Sequence, residues 1–94
     1  MKFKKHTACM IDFISDFVSG KLERYFFDLD YSAYVIEHFP YMEIENPRVA
    51  DKFAYTIDRA YESGTHLGLP DEAFRIEIST ALDEWLGRKT NEII

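Results

Sequence analysis

Residues 22–40 read LERYFFDLDYSAYVIEHFP, and the layout of this stretch decides the fold. Leu22, Tyr25, Phe26, Leu29, Ala33 and Ile36 recur at intervals of three and four, the spacing of one helix face. Phe27, Tyr31 and Tyr34 form a second stripe on roughly the opposite side. Sustained period-two alternation is absent, so the stretch predicts a helix over Leu22–Phe39, stopped by Pro40. A helix apolar on two sides admits three readings. It is central and packed on both faces; it breaks near Asp28-Leu29-Asp30, with Asp30 capping a new helix in a new phase; or the aromatic stripe is a surface kept for a partner. The first, larger stripe is the expected core face.

The flanking segments are also helical. Upstream, Thr7 as N-cap and Gly20 as stop bracket a helix of about 7–19, with Met10, Ile11, Ile14, Phe17 and Val18 on one face. Downstream, Pro40 to Asn46 reads as a loop. Asn46-Pro47 then opens a third helix with a strong N-cap and Pro at the first position. It is expected to reach Ser63 and end at Gly64, with Val49, Phe53, Ile57 and Ala60 facing the core. Pro70-Asp71-Glu72 opens a fourth helix, which buries Phe74, Ile78, Ala81, Leu82 and Trp85 and stops at Gly87. Four amphipathic helices with short connections predict an all-α, antiparallel four-helix bundle. Phe17, Leu29, Phe53, Ile57, Leu82 and Trp85 are expected to share its core. The 94 residues make one domain, 1–94, with an ordered core of about 7–87 and frayed ends.

Charge narrows the function. The net charge is −6, and residues 6–87 alone hold sixteen acids against six bases, a net −10. A phosphate backbone needs a basic footprint, so direct nucleic-acid binding is not expected. A basic protein would be drawn to such a surface, although acidity also serves plain solubility. Cys9 is the only cysteine, which excludes an intrachain disulfide and fits a reducing compartment. No apolar run approaches a membrane span, and Met1 to His6 lacks the apolar run of a signal peptide. The expected location is the cytoplasm.

Catalytic patterns do not surface. There is no phosphate-binding glycine loop, no Gly-x-Gly-x-x-Gly and no Gly-x-Ser-x-Gly. His6, His38 and His66 share no metal-ligand spacing, and no Glu-x-x-His pair suggests a di-iron site. No catalytic residue, metal or cofactor is expected, and the chain is read as a non-enzyme. Acid pairs such as Asp12/Asp16 and Asp58/Glu62 suit a solvated helix face. An enzyme would need a closed pocket holding convergent acids.

The remaining signal is surface. On the third helix Asp51, Tyr55, Asp58 and Glu62 fall within about 60° of one another, opposite its core stripe. Three carboxylates around one tyrosine suit a partner-binding strip, the tyrosine giving rigid contact area. The preceding loop, Tyr41-Met42-Glu43-Ile44-Glu45, alternates apolar and acidic side chains, which adds Glu43 and Glu45 as candidates. An ordinary charged face plus an ordinary loop is the competing reading.

Met10-Ile11-Asp12-Phe13, the helix end Val18-Ser19-Gly20-Lys21-Leu22, Asp58-Arg59 with Glu62, and the run from Glu77 to Leu86 together resemble the immunity proteins of colicin-type toxins, the colicin D immunity type above all. The likeness spans roughly residues 9–86. The Tyr-Tyr-Pro element of the DNase-immunity type is missing, with Phe39-Pro40-Tyr41 a faint echo. The resemblance implies a cytoplasmic protein that binds a cognate toxic nuclease domain one to one. Its carboxylates would then take the place of RNA phosphates in a tRNA-cleaving site. It also implies that Asp58 and Glu62, near the end of the third helix, face the toxin. A general helical adaptor that binds some other basic protein is the alternative.

Overall fold

The computed structural model describes residues 3–88. Within them the chain is all-α, with no strand. Helix α1 spans Lys5–Val18 and α2 spans Arg24–Glu45. A third rod runs unbroken through α3 (Pro47–Phe53), a π-helical segment (Ala54–Asp58) and α4 (Arg59–Leu67). Helix α5 spans Asp71–Leu86. Consecutive rods pack on one another, and α5 also returns to α1. No helix among the described residues is long and apolar enough to cross a membrane. The expected fraying of the tail concerns mainly residues 89–94, outside the described part.

The second helix departs most from expectation. It neither breaks at Asp28–Asp30 nor stops at Pro40; the expected loop after Pro40 is its last turn. An internal proline loses one backbone hydrogen bond and frees the carbonyl four residues earlier, here that of Ile36. Pro40 and Ile36 both belong to the exposed side of α2, where water can satisfy that carbonyl. The turn beyond Pro40 is held by tertiary contacts: Met42 is fully buried, and Glu45 caps another helix.

The buried face of α2 is also the opposite of the expected one. Phe27, Tyr31, His38 and Met42 point inward, while Tyr25, Phe26, Leu29 and Ile36 are exposed. The smaller stripe wins because it fits the layers on either side. Phe27 stacks on Phe17 and Phe13, and Tyr34 stacks on Phe13 at a centroid distance of 4.0 Å. Its polar atoms are satisfied too. The Tyr31 hydroxyl donates to Asp58, and the Nδ1 atoms of His38 and His6 lie 2.9 Å apart, so one donates and the other accepts. Leu29 therefore drops out of the expected core. Phe17, Phe53, Ile57, Leu82 and Trp85 are in it.

Helix ends moved for identifiable reasons. Thr7 is not an N-cap but a buried residue in the first turn of α1, where its N–H and hydroxyl bond to Glu45. Asn46 does cap α3, its side chain accepting from Arg48 and Val49. Gly64 does not end the third rod. It is buried inside α4 because the Phe74 ring lies against its Cα, leaving no room for a Cβ. The stop is Gly68, in the left-handed conformation with φ of 66°. In the π-helical segment, the Thr56 hydroxyl donates to the Lys52 carbonyl at 2.6 Å. That contact competes for the acceptor the backbone would use in an ordinary α-helix.

Two arginines tie the layers together. Arg75 donates to the Phe17 carbonyl near the end of α1 and lies over the Phe17 ring. Arg24 donates to the Leu69 carbonyl, pairs with Asp28 and Asp71, and stacks over Phe74 at 4.0 Å. At the other end, Trp85 Nε1 donates to the Val49 carbonyl, joining the last turn of α5 to the first of α3.

Candidate functional site

The outer side of α2 leaves its large apolar side chains uncovered. Tyr25 is 68% exposed, Phe26 47%, Leu29 62%, Ile36 75% and Ile44 79%. They share one face of a 22-residue helix, so they form one strip rather than scattered singles. Scattered exposed apolar residues are ordinary, whereas a contiguous strip makes this face the candidate surface for a partner.

Carboxylates stand on both flanks of α2. On the α1 side a groove is lined by Asp12 and Asp16 of α1 and Asp30 and Tyr34 of α2. Glu37 is exposed farther along the same edge. On the side of the third rod lie Asp28, Asp58 and Glu62, around the stacked rings of Tyr31 and Tyr61, whose centroids are 3.8 Å apart. The Tyr31 hydroxyl donates to Asp58 at 2.8 Å. Burial, and then the Asp58 carboxylate, hold the Tyr31 phenol well above its ordinary value. Burial and the nearby Asp28 push Tyr61 up to about 12. Both phenols therefore stay neutral, and the charge at this edge is that of the carboxylates and of Arg24, which pairs with Asp28.

The six expected site residues do not form one strip. Asp51, Tyr55, Glu62 and Glu43 are exposed. Tyr55 turns to the α5 side, where it lines a cleft with Thr80 and Glu84. Asp58 turns to the α2 side and is half-buried against Tyr31, so it is not the free surface acid its spacing predicts. Both positions lie within the π-helical turn, Ala54–Asp58, which spoils the 100° step that predicts the strip. Asp58 and Glu62 stay together, beside α2.

Glu45 has a different role. Its carboxylate accepts from the backbone N–H groups of His6 and Thr7, at 2.7 and 3.0 Å, and from the Thr7 hydroxyl at 2.8 Å. Those groups sit at the unsatisfied N-terminus of α1, so Glu45 caps it from 38 residues away. Burial raises its carboxyl, but the bonds from His6 and Thr7 outweigh that and leave it below the ordinary value. Its surroundings give it a structural use.

In the sequence the exposed residues of α2 outnumber the buried stripe, so counting assigns them to the core rather than to a candidate surface. The available signal was the double stripe itself. No family model, curated protein or solved structure matches the chain.

Proposed function

We propose that this protein is an immunity protein, a cytoplasmic inhibitor that binds a cognate nuclease toxin domain, expected to be a tRNase, and covers its basic active site. The observation that carries the reading is the exposed apolar face of α2, a helix flanked by carboxylates on the α1 side and by Asp58 and Glu62 on the side of the third rod. Apolar centre and charged border are the anatomy of a protein-binding surface, with the centre supplying affinity and the rim supplying association rate and selectivity. The border is predominantly acidic, Arg24 being paired with Asp28 and Asp71, and a nuclease cleft must be positive to hold its substrate. An inhibitor of a lethal enzyme needs fast association, which opposite charge provides. An uncharged rim would have favoured a general adaptor; the acidic rim favours the inhibitor.

The helices are read as an antiparallel four-helix bundle. Tyr31 beside Asp58, and Trp85 beside Val49, support opposite directions for neighbouring rods. The complex is read as one to one, without nucleic acid or membrane. The test is titration against the cognate toxin domain, to be sought in the gene adjacent to this one, with tRNA cleavage as readout. Stoichiometric loss of cleavage is expected. Undiminished cleavage at saturating protein sinks the reading.

A further inference from the structure

Within the outer face of α2, Phe26, Leu29, Ala33, Ile36 and Pro40 follow one another at steps of three, four, three and four. That is the seam of a helix–helix contact, written on the solvent side of a helix whose other side is already packed. We propose that this face is the seat of one amphipathic helix of the partner, carrying an apolar stripe flanked by lysine or arginine. The inference rests on the reading of the protein as a binder of a basic protein and names the element it grips.

Charge decides between occupants. Asp30 and Glu37 border the seam, no lysine or arginine lies between Tyr25 and Ile44, and His38 is buried on the opposite face against His6. A second copy of this chain would set Asp30 and Glu37 against their own equivalents or against Ser32 and Tyr25, with no cation to answer them. Like charges across a seam are disfavoured. An anionic lipid surface would be repelled by the same border. A partner helix with basic flanks would be attracted on both edges, since Asp12, Asp16 and Asp30 line one and Asp58 and Glu62 stand at the other. The steps of three and four give the occupant its form, because knobs at those intervals interlock with a helix better than with a strand.

The test uses two synthetic peptides of about three heptads. One has Leu and Ile at its seam positions and Lys on both flanks, so self-association is opposed by its own charge. The other has Glu on the flanks. Binding to the intact protein is followed by fluorescence anisotropy, and the protein's own mass by light scattering. A one-to-one complex with the lysine peptide is expected. The glutamate peptide should bind about thirtyfold or more weakly, and Leu29→Glu with Ile36→Glu should weaken the lysine peptide to the same degree. Both positions are exposed, so the double variant should keep its helical circular dichroism. The proposal is overturned if the lysine peptide fails to bind, if the two peptides bind alike, or if the protein is a dimer that the double variant converts to monomer. The two readings also fail separately. Peptide binding without inhibition of the toxin removes the immunity function and leaves the seam. Inhibition that the double variant does not weaken leaves the function and removes the seam.

Discussion

Glu45, the last residue of α2, accepts hydrogen bonds from both the N–H and the hydroxyl of Thr7, in the first turn of α1. One carboxylate thereby locks the two longest-separated ends of the first two helices. Replacing Glu45 with Gln keeps the shape but removes the charge that the helix N-terminus prefers, at a cost of about 0.5–2 kcal/mol. The sign with pH follows. The folded carboxyl titrates below its unfolded value, so its stabilisation is present above the ordinary glutamate value of about 4.3 and fades as pH falls through the lower folded value. Urea melts of wild type and Glu45→Gln should differ at neutral pH and converge in acid. A constant difference down to the acid limit would remove the capping role.

Tyr31 and Tyr61 should ionise later than an ordinary tyrosine. Folding favours their neutral forms, so this stabilisation is complete below the ordinary tyrosine value of about 10. For Tyr61 it is lost as pH rises through about 12. A spectrophotometric titration should show part of the tyrosinate absorbance appearing late and together with loss of helical circular dichroism. In Tyr31→Phe the Asp58 carboxylate loses its donor, and stability should fall by about 1–2 kcal/mol. Tyr31 and Tyr61 ionising at the ordinary value would contradict the stacked pair.

At Gly64 propensity and packing point in opposite directions. Alanine is the better helix former by about 1 kcal/mol. Its Cβ, however, would meet the ring of Phe74, which is fully buried and has nowhere to retreat. Overpacking of this kind typically costs 1–3 kcal/mol, so Gly64→Ala should lower the melting temperature. A raised melting temperature would mean that α4 and α5 separate more readily than their packing implies.

Charge reversals at Asp58 and Glu62 should divide. Glu62→Lys changes an exposed position and should alter stability by less than about 0.5 kcal/mol. Asp58→Lys leaves the Tyr31 hydroxyl without its acceptor and should cost about 1–3 kcal/mol. Both should weaken binding to a basic partner, and more so at low salt than at high salt. Equal stability of the two variants by chemical melts would place Asp58 in solvent after all.

The helical class, the Asn46-Pro47 start and the apolar faces of α1 and α5 were legible because each rests on local rules: spacing, capping and punctuation. What escaped depends on distant residues. Thr7 has the chemistry of an N-cap, yet a carboxylate 38 positions away supplies the cap and moves the helix start. Gly64 has the chemistry of a stop, yet Phe74 needs its bare Cα inside a helix. The two stripes of α2 could not be ranked by counting. What ranks them is that Phe13, Phe17 and Tyr61 offer rings to Phe27 and Tyr31. For the site, acidity was readable in the sequence, but the splitting of Tyr55 from Asp58 was not, because a π-helical turn leaves no mark in spacing alone.

The uncovered strip on α2 also bears on dosage. Copies that have not met a partner keep apart largely through their charge of −6, and that repulsion acts over only about 8 Å at physiological ionic strength. The sequence isoelectric point, near 4.9, marks the pH at which it vanishes. Protein in excess of the proposed partner would then be held in solution by electrostatics rather than by a sealed surface. It should cloud first on acidification or in concentrated salt, and a partner of the proposed kind should clear it.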